Sequence, residues 1–159
     1  IVVGNILMRY PIGSPDSVAD FYKLRAARVG GRYVSCLMLG EEARRHPDPR
    51  TAFALCLGTL GSPPLRNEAY AAERFQAQIE EQTRNFIHDP RNVLIDRRRS
   101  NLRLSEIFRI NQFYIEAKHK TIFRFIASYL PEEDSKAVLS GKYTYQFVFD
   151  ADLNGEGAY

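Results

Sequence analysis

"AYAAERFQAQIEEQTRNFIH", residues 69–88, is the stretch from which the fold class follows. Ala72, Phe75, Ile79 and Phe86 recur at a spacing that puts them on one face of an α-helix, with glutamates and glutamines opposite. Downstream, "NVLIDRRRSNLRLS" sets apolar Val93, Leu94 and Ile95 before an arginine run and Leu102 and Leu104 after it. That is the pattern of a β-hairpin with Arg97, Arg98 and Arg99 at a solvated tip. Ser105 then caps "SEIFRINQFYIEA", predicted as a helix in which Ile107, Ile110 and Tyr114 share a face. Thr121 opens "TIFRFIASYL", where Ile122, Ile126, Tyr129 and Leu130 line up before Pro131. A short helix comes next, from Glu132 to Leu139, ended by Gly141. "YTYQFVFD" closes the pattern as a strand with alternating Tyr143, Tyr145, Phe147 and Phe149.

Toward the N-terminus from residue 69, "TAFALCLG" has apolar residues at both alternating sets, which predicts a strand buried on both sides. "CLMLGEEARRH" predicts a short helix ending before Pro47. "LRAARVGGRYVS" gives two short segments around Gly30 and Gly31, the mark of a tight hairpin. In "SPDSVADFYK", Ser14 can cap a helix, Pro15 suits its first turn and Asp16 complements its dipole. The expected fold is α+β: a helix-rich single domain over residues 1–159, with short β-hairpins and a small antiparallel sheet. The chain opens at Ile1 inside an apolar pattern that resembles the end of a helix, so upstream residues are expected to be missing.

Composition narrows the function classes. The 159 residues are 45% hydrophobic and 26% charged, the balance of an ordinary globular protein, and no apolar run reaches a membrane span. Two cysteines, Cys36 and Cys56, offer neither a disulfide framework nor zinc spacing. They are expected as buried free thiols in a reducing compartment, the cytoplasm or an organelle interior. No metal or other cofactor is expected. The net charge of +3 is small, and the one dense basic run is not interleaved with aromatics, so nucleic acid is not the expected partner. A protein partner is expected instead. Neighbouring Phe113 and Tyr114 cannot both face the core, nor can Phe123 and Phe125, so one of each pair is a candidate for a partner surface.

The segment "GTLGSPPLRNEAY", residues 58–70, holds the chemistry to be weighed. Gly58 and Gly61 permit close backbone approach, and Pro63 and Pro64 stiffen the chain after Ser62. The spacing fits neither a P-loop nor a dinucleotide fingerprint, and the prolines exclude a G-x-S-x-G elbow. Gly58, Gly61, Arg66 and Glu68 are the candidate binding residues, with Glu68 placed to orient Arg66.

"YPI", "VGG", "DPRTAFAL…GSPPLRNEAY", "LRLSEIF", "YLPEE" and "FDADLN" occur in the order found in the Domain of Unknown Function 547 family, which the chain resembles from about Met8 to Asn154. The resemblance implies an upstream helix in bacterial members, before the point where this chain starts. It also implies a cysteine where this chain has Ser62 and a histidine where it has Ala52, a pair that has suggested a thiol enzyme. Plant members often carry serine at the cysteine position, and animal members accompany glutaredoxin-like and DEP domains.

Serine in place of cysteine removes the easily ionised thiol, and alanine in place of histidine removes its base. His46, His88 and His119 are the remaining candidate partners for Ser62, and all three stand at the ends of predicted elements. The expected function is therefore a non-catalytic binding or structural module in a larger protein or assembly. The alternative is a hydrolase or acyltransferase with Ser62 as nucleophile in a site derived from a papain-like or thiol enzyme.

Overall fold

The structure is a computed structural model that describes residues 21–23, 25–56 and 61–148. The Ser14-capped helix, Gly58 and the Phe149 end of the last strand lie outside those residues. Strand β1 (Arg25–Val29) turns through Gly30 and Gly31 into antiparallel β2 (Arg32–Ser35). Both glycines take positive φ, 55° and 80°, which a two-residue hairpin turn of this twist requires and other residues resist. Ser35 then ends the hairpin by accepting the Met38 N–H, so one residue closes a strand and caps helix α1 (Cys36–Arg45). The helix stops before Pro47, as expected.

The predicted strand at "TAFALCLG" is corrected to a 3-10 helix, Pro49–Ala54. Its start signal is local: Asp48 accepts the Arg50 N–H, and Pro49 occupies the first turn. Thr51, Ala52 and Phe53 are buried, which explains why the residues read as apolar on both sides. A 3-10 turn, Ala72–Arg74, leads into α2 (Phe75–His88). Ile79 and Phe86 face inward as expected, but Gln78 and Gln82 are buried too, against the expectation of a wholly solvated polar face. Both amides are spent on the preceding loop.

Strands β3 (Val93–Asp96) and β4 (Asn101–Ser105) form the second hairpin, with Arg97, Arg98 and Arg99 exposed at its tip. Strand β5 (Thr144–Val148) pairs parallel with β4, from Asn101 opposite Thr144 to Ser105 opposite Val148. The described strands therefore make one antiparallel pair and one mixed three-stranded sheet, on an otherwise helical α+β chain.

The helix predicted over residues 105–117 divides into α3 (Glu106–Ile110) and α4 (Gln112–His119). Asn111 breaks it: its side-chain amide donates to the Ile107 carbonyl at 2.8 Å, competing for an acceptor the helix ladder would use. The break rotates the following turn, so Ile107 and Ile115 are buried while Ile110 and Tyr114 emerge. Thr121 caps α5 (Ile122–Ala127), and α6 (Glu132–Val138) precedes Gly141 at positive φ.

Four rings hold the core together. Phe53 packs on Phe86, Phe108 and Phe125 with centroids 5.1, 5.5 and 5.7 Å apart. Leu102 and Leu104 from β4 and Ile122 and Ile126 from α5 close around them, all fully buried. The segment expected as a strand thus supplies, as a 3-10 helix, the central ring of the core.

Candidate functional site

The loop after Gly61 is fastened by side chains at fixed points. Ser105 Oγ donates to the Gly61 carbonyl at 2.7 Å, tying the loop's start to the cap of α3. Gln82 Nε2 donates to the Pro64 carbonyl at 2.7 Å. Gln78 donates to Glu68 and to the Ala69 carbonyl and accepts the Ala71 N–H. Arg66 reaches Glu68 at 2.9 Å and Glu81 at 2.8 Å, so the expected Arg66–Glu68 contact is present. Hydrogen bonds from Gln78 and then Arg66 pull the Glu68 carboxyl down to about 2. This cluster turns Arg66 and Glu68 toward α2 and toward each other. The Glu68 carboxylate and both Arg66 Nη groups are spent on holding the loop, while Arg66 Nε is buried without a hydrogen-bond partner.

Ser62 sits inside this fastened loop, 3% exposed. The three histidines are engaged elsewhere. His46 Nδ1 accepts the Asp48 N–H at 3.1 Å, and its ring edge meets Phe75. His88 Nε2 lies 2.7 Å from the Tyr129 carbonyl, so that nitrogen carries the proton and donates. His119 packs edge-on to Phe125 at 4.9 Å, and burial, with Lys118 beside it, lowers its pKa.

A second polar cluster went unread in the sequence. Arg50 binds Asp48, Glu80 at 2.8 Å and Gln76 at 2.7 Å, and Tyr129 donates to the same Glu80 carboxylate at 3.0 Å. Burial opposes ionisation of Asp48 and Glu80, and the Arg50 guanidinium outweighs it, so both stay below the usual carboxylate range. Burial, with the Glu80 bond, pushes Tyr129 up to about 12. The cluster locks the 3-10 helix onto α2.

Between α1, that 3-10 helix and α3 lies a cavity of about 220 Å³. Leu39, Ala43, Ala52, Leu55 and Ile107 give it aliphatic walls, and Leu65, largely exposed, and Ile110, partly exposed, stand at its edge. Cys36 lines it from the start of α1, and Cys56 from just past the 3-10 helix. Both are free thiols and only half-buried, which corrects the expectation of two buried ones. Burial still pushes the Cys36 thiol up, away from thiolate reactivity. The cavity was not legible because its walls come from helices whose relative placement the periodicities do not fix. The one available signal was the density of small residues, Gly40, Ala43, Ala52 and Ala54, which leave space wherever three elements meet.

The exposed-aromatic expectation divides. Phe113 is 77% exposed, while Phe125 is buried and Phe123 packs against Tyr145. Among the described residues no helix is long and apolar enough to cross a membrane.

Comparison with known proteins gives one match: residues 20–87 fit the model of a family described as a protein of unknown function, DUF547. The resemblance read from the sequence is borne out over that stretch, which includes "VGG" and the whole "DPRTAFAL…GSPPLRNEAY" block. No match is found among curated proteins or among solved structures.

Proposed function

We propose, taking residues 20–87 as a segment of the DUF547 family, that this chain is a non-catalytic binding module whose binding element is the cavity between α1, the 3-10 helix and α3. The observation that carries this reading is the make-up of the cavity wall. Ala52, the position at which the resemblance implies a histidine in bacterial relatives, is one of its aliphatic lining residues. At that position a methyl group binds by burial and, unlike an imidazole, offers no proton acceptor. The engagement of His46, His88 and His119 in separate contacts supports the same reading, as does the burial of Ser62. The protein in which such a module serves would supply or receive whatever the cavity holds.

The competing reading makes Ser62 the nucleophile of a hydrolase or acyltransferase. A fluorophosphonate probe followed by intact mass separates the two. The binding reading expects no adduct at Ser62, so wild type and Ser62→Ala should show the same adduct pattern. A stoichiometric adduct that Ser62→Ala abolishes would overturn it.

A further inference from the structure

We infer that the cavity takes a medium-chain aliphatic carboxylate, its tail among the apolar walls and its head group on Arg44. This rests on the binding reading above and names the class of ligand that reading leaves open.

Three observations lead to it. The first is charge. Among the described residues lining the cavity, Arg44 is the sole charged one, and it forms no ion pair or hydrogen bond with any described residue. Arg45, the next residue, pairs with Glu42, and Arg50 and Arg66 are each held by two carboxylates. An arginine left unpaired at the edge of an aliphatic cavity offers a planar pair of N–H donors that matches two carboxylate oxygens. A phosphate would call for more donors than one guanidinium. The other polar lining residue, Asn111, already spends its amide on the Ile107 carbonyl.

The second is placement. Gly40, one turn before Arg44, also lines the cavity, and a Cβ there would come within 3.4 Å of Arg44 Nη1. The guanidinium therefore lies back across the helix on the cavity side, over the one α1 residue small enough to leave it room. The third is shape and size. The described walls are aliphatic and thiol groups with no aromatic ring to stack on, which suits a flexible chain better than a planar ligand. At about 220 Å³ the cavity exceeds the about 150 Å³ that accepts a benzene ring, giving room for about six to eight carbons.

Cys36 and Cys56 provide the readout, since a bound chain would cover both thiols. The experiment follows initial rates of iodoacetamide alkylation of the two cysteines by intact mass, with butanoate, hexanoate, octanoate or octan-1-ol present. The ratio of rates with and without ligand cancels the difference in basal thiol ionisation between variants, and uncharged octan-1-ol reports covering of the thiols that owes nothing to a carboxylate's charge. Octanoate is expected to slow both cysteines, with affinity rising about fourfold per added methylene from butanoate to octanoate. Arg44→Gln should weaken octanoate about tenfold, leave octan-1-ol unchanged and be partly rescued by Arg44→Lys. Failure of octanoate to protect either thiol would overturn the inference. So would equal weakening of octanoate and octan-1-ol by Arg44→Gln, since the head group would then not be on the guanidinium. Neither result touches Ser62, so the non-catalytic reading is judged separately, by whether Ser62 reacts.

Discussion

At the scale of single residues, Arg50 bears more structural consequence than Ser62. Its guanidinium joins Asp48 at the start of the 3-10 helix to Glu80 on α2, and its side chain is only 22% exposed. Removing it leaves two carboxylates facing each other in a part-buried site, the costly half of a broken ion pair. Arg50→Met is expected to cost about 2 kcal/mol, less than a fully buried pair because water still reaches Glu80. Arg50→Lys should recover only part of it, since one ammonium cannot serve Asp48, Glu80 and Gln76 in the plane the guanidinium provides. Urea denaturation of both variants checks this. None of it was legible beforehand: Arg50 and Glu80 are thirty residues apart, and each looks like an ordinary surface charge in its own element.

At the scale of elements, local signals were readable and distant ones were not. The β1–β2 hairpin was readable because Gly30-Gly31 meets a backbone requirement within two residues. So was the end of α1 before Pro47. The 3-10 helix reads as a strand because alternation has no meaning where every side is covered, and the Asp48-Pro49 start signal is the better guide. The helix over residues 105–117 reads as continuous through Asn111 because a break made by one side-chain bond leaves the apolar spacing intact. Parallel pairing of β4 with β5 joins Asn101 to Thr144 across four helices, and nothing in either strand announces it. Of the candidate site, the loop and its Arg66–Glu68 contact were legible, and the cavity with Arg44 was not. One element-scale prediction concerns the end of α4, where Lys120 takes φ 69° and ψ −40°. That conformation strains any residue with a Cβ, so Lys120→Gly should stabilise by about 1 kcal/mol, read as a raised Tm.

For the whole molecule, stability should depend on pH at both ends of the range. Asp48, Glu80 and Asp89 are held below their ordinary values, and Glu68 falls to about 2. Depressed carboxyls contribute stability that is complete above their unfolded values near 4 and is lost as pH falls toward 2. Tyr129 moves the other way, up to about 12, so its contribution is complete below about 10 and is lost as pH rises through 12. His119, held below its ordinary value, adds stability that is complete above about 6.5 and is lost as pH falls below it, so the urea midpoint should stay level only from about pH 7 to 9 and fall outside that range. A midpoint that rises between pH 4 and 2 would contradict the carboxylate clusters as drawn. The Arg50 cluster and the Phe53-centred core hold the 3-10 helix, one wall of the cavity, against α2 and α3, so binding should weaken together with stability at acid pH.

The most direct test of the central claim, a site that binds without turning over, is p-nitrophenol release from p-nitrophenyl octanoate. The ester presents the proposed chain and a labile bond to the same cavity. Wild type and Ser62→Ala are predicted to release p-nitrophenol at the same rate, with any thiol reaction common to both. A burst of one equivalent per chain in wild type that is missing from Ser62→Ala would contradict the claim and make Ser62 a nucleophile.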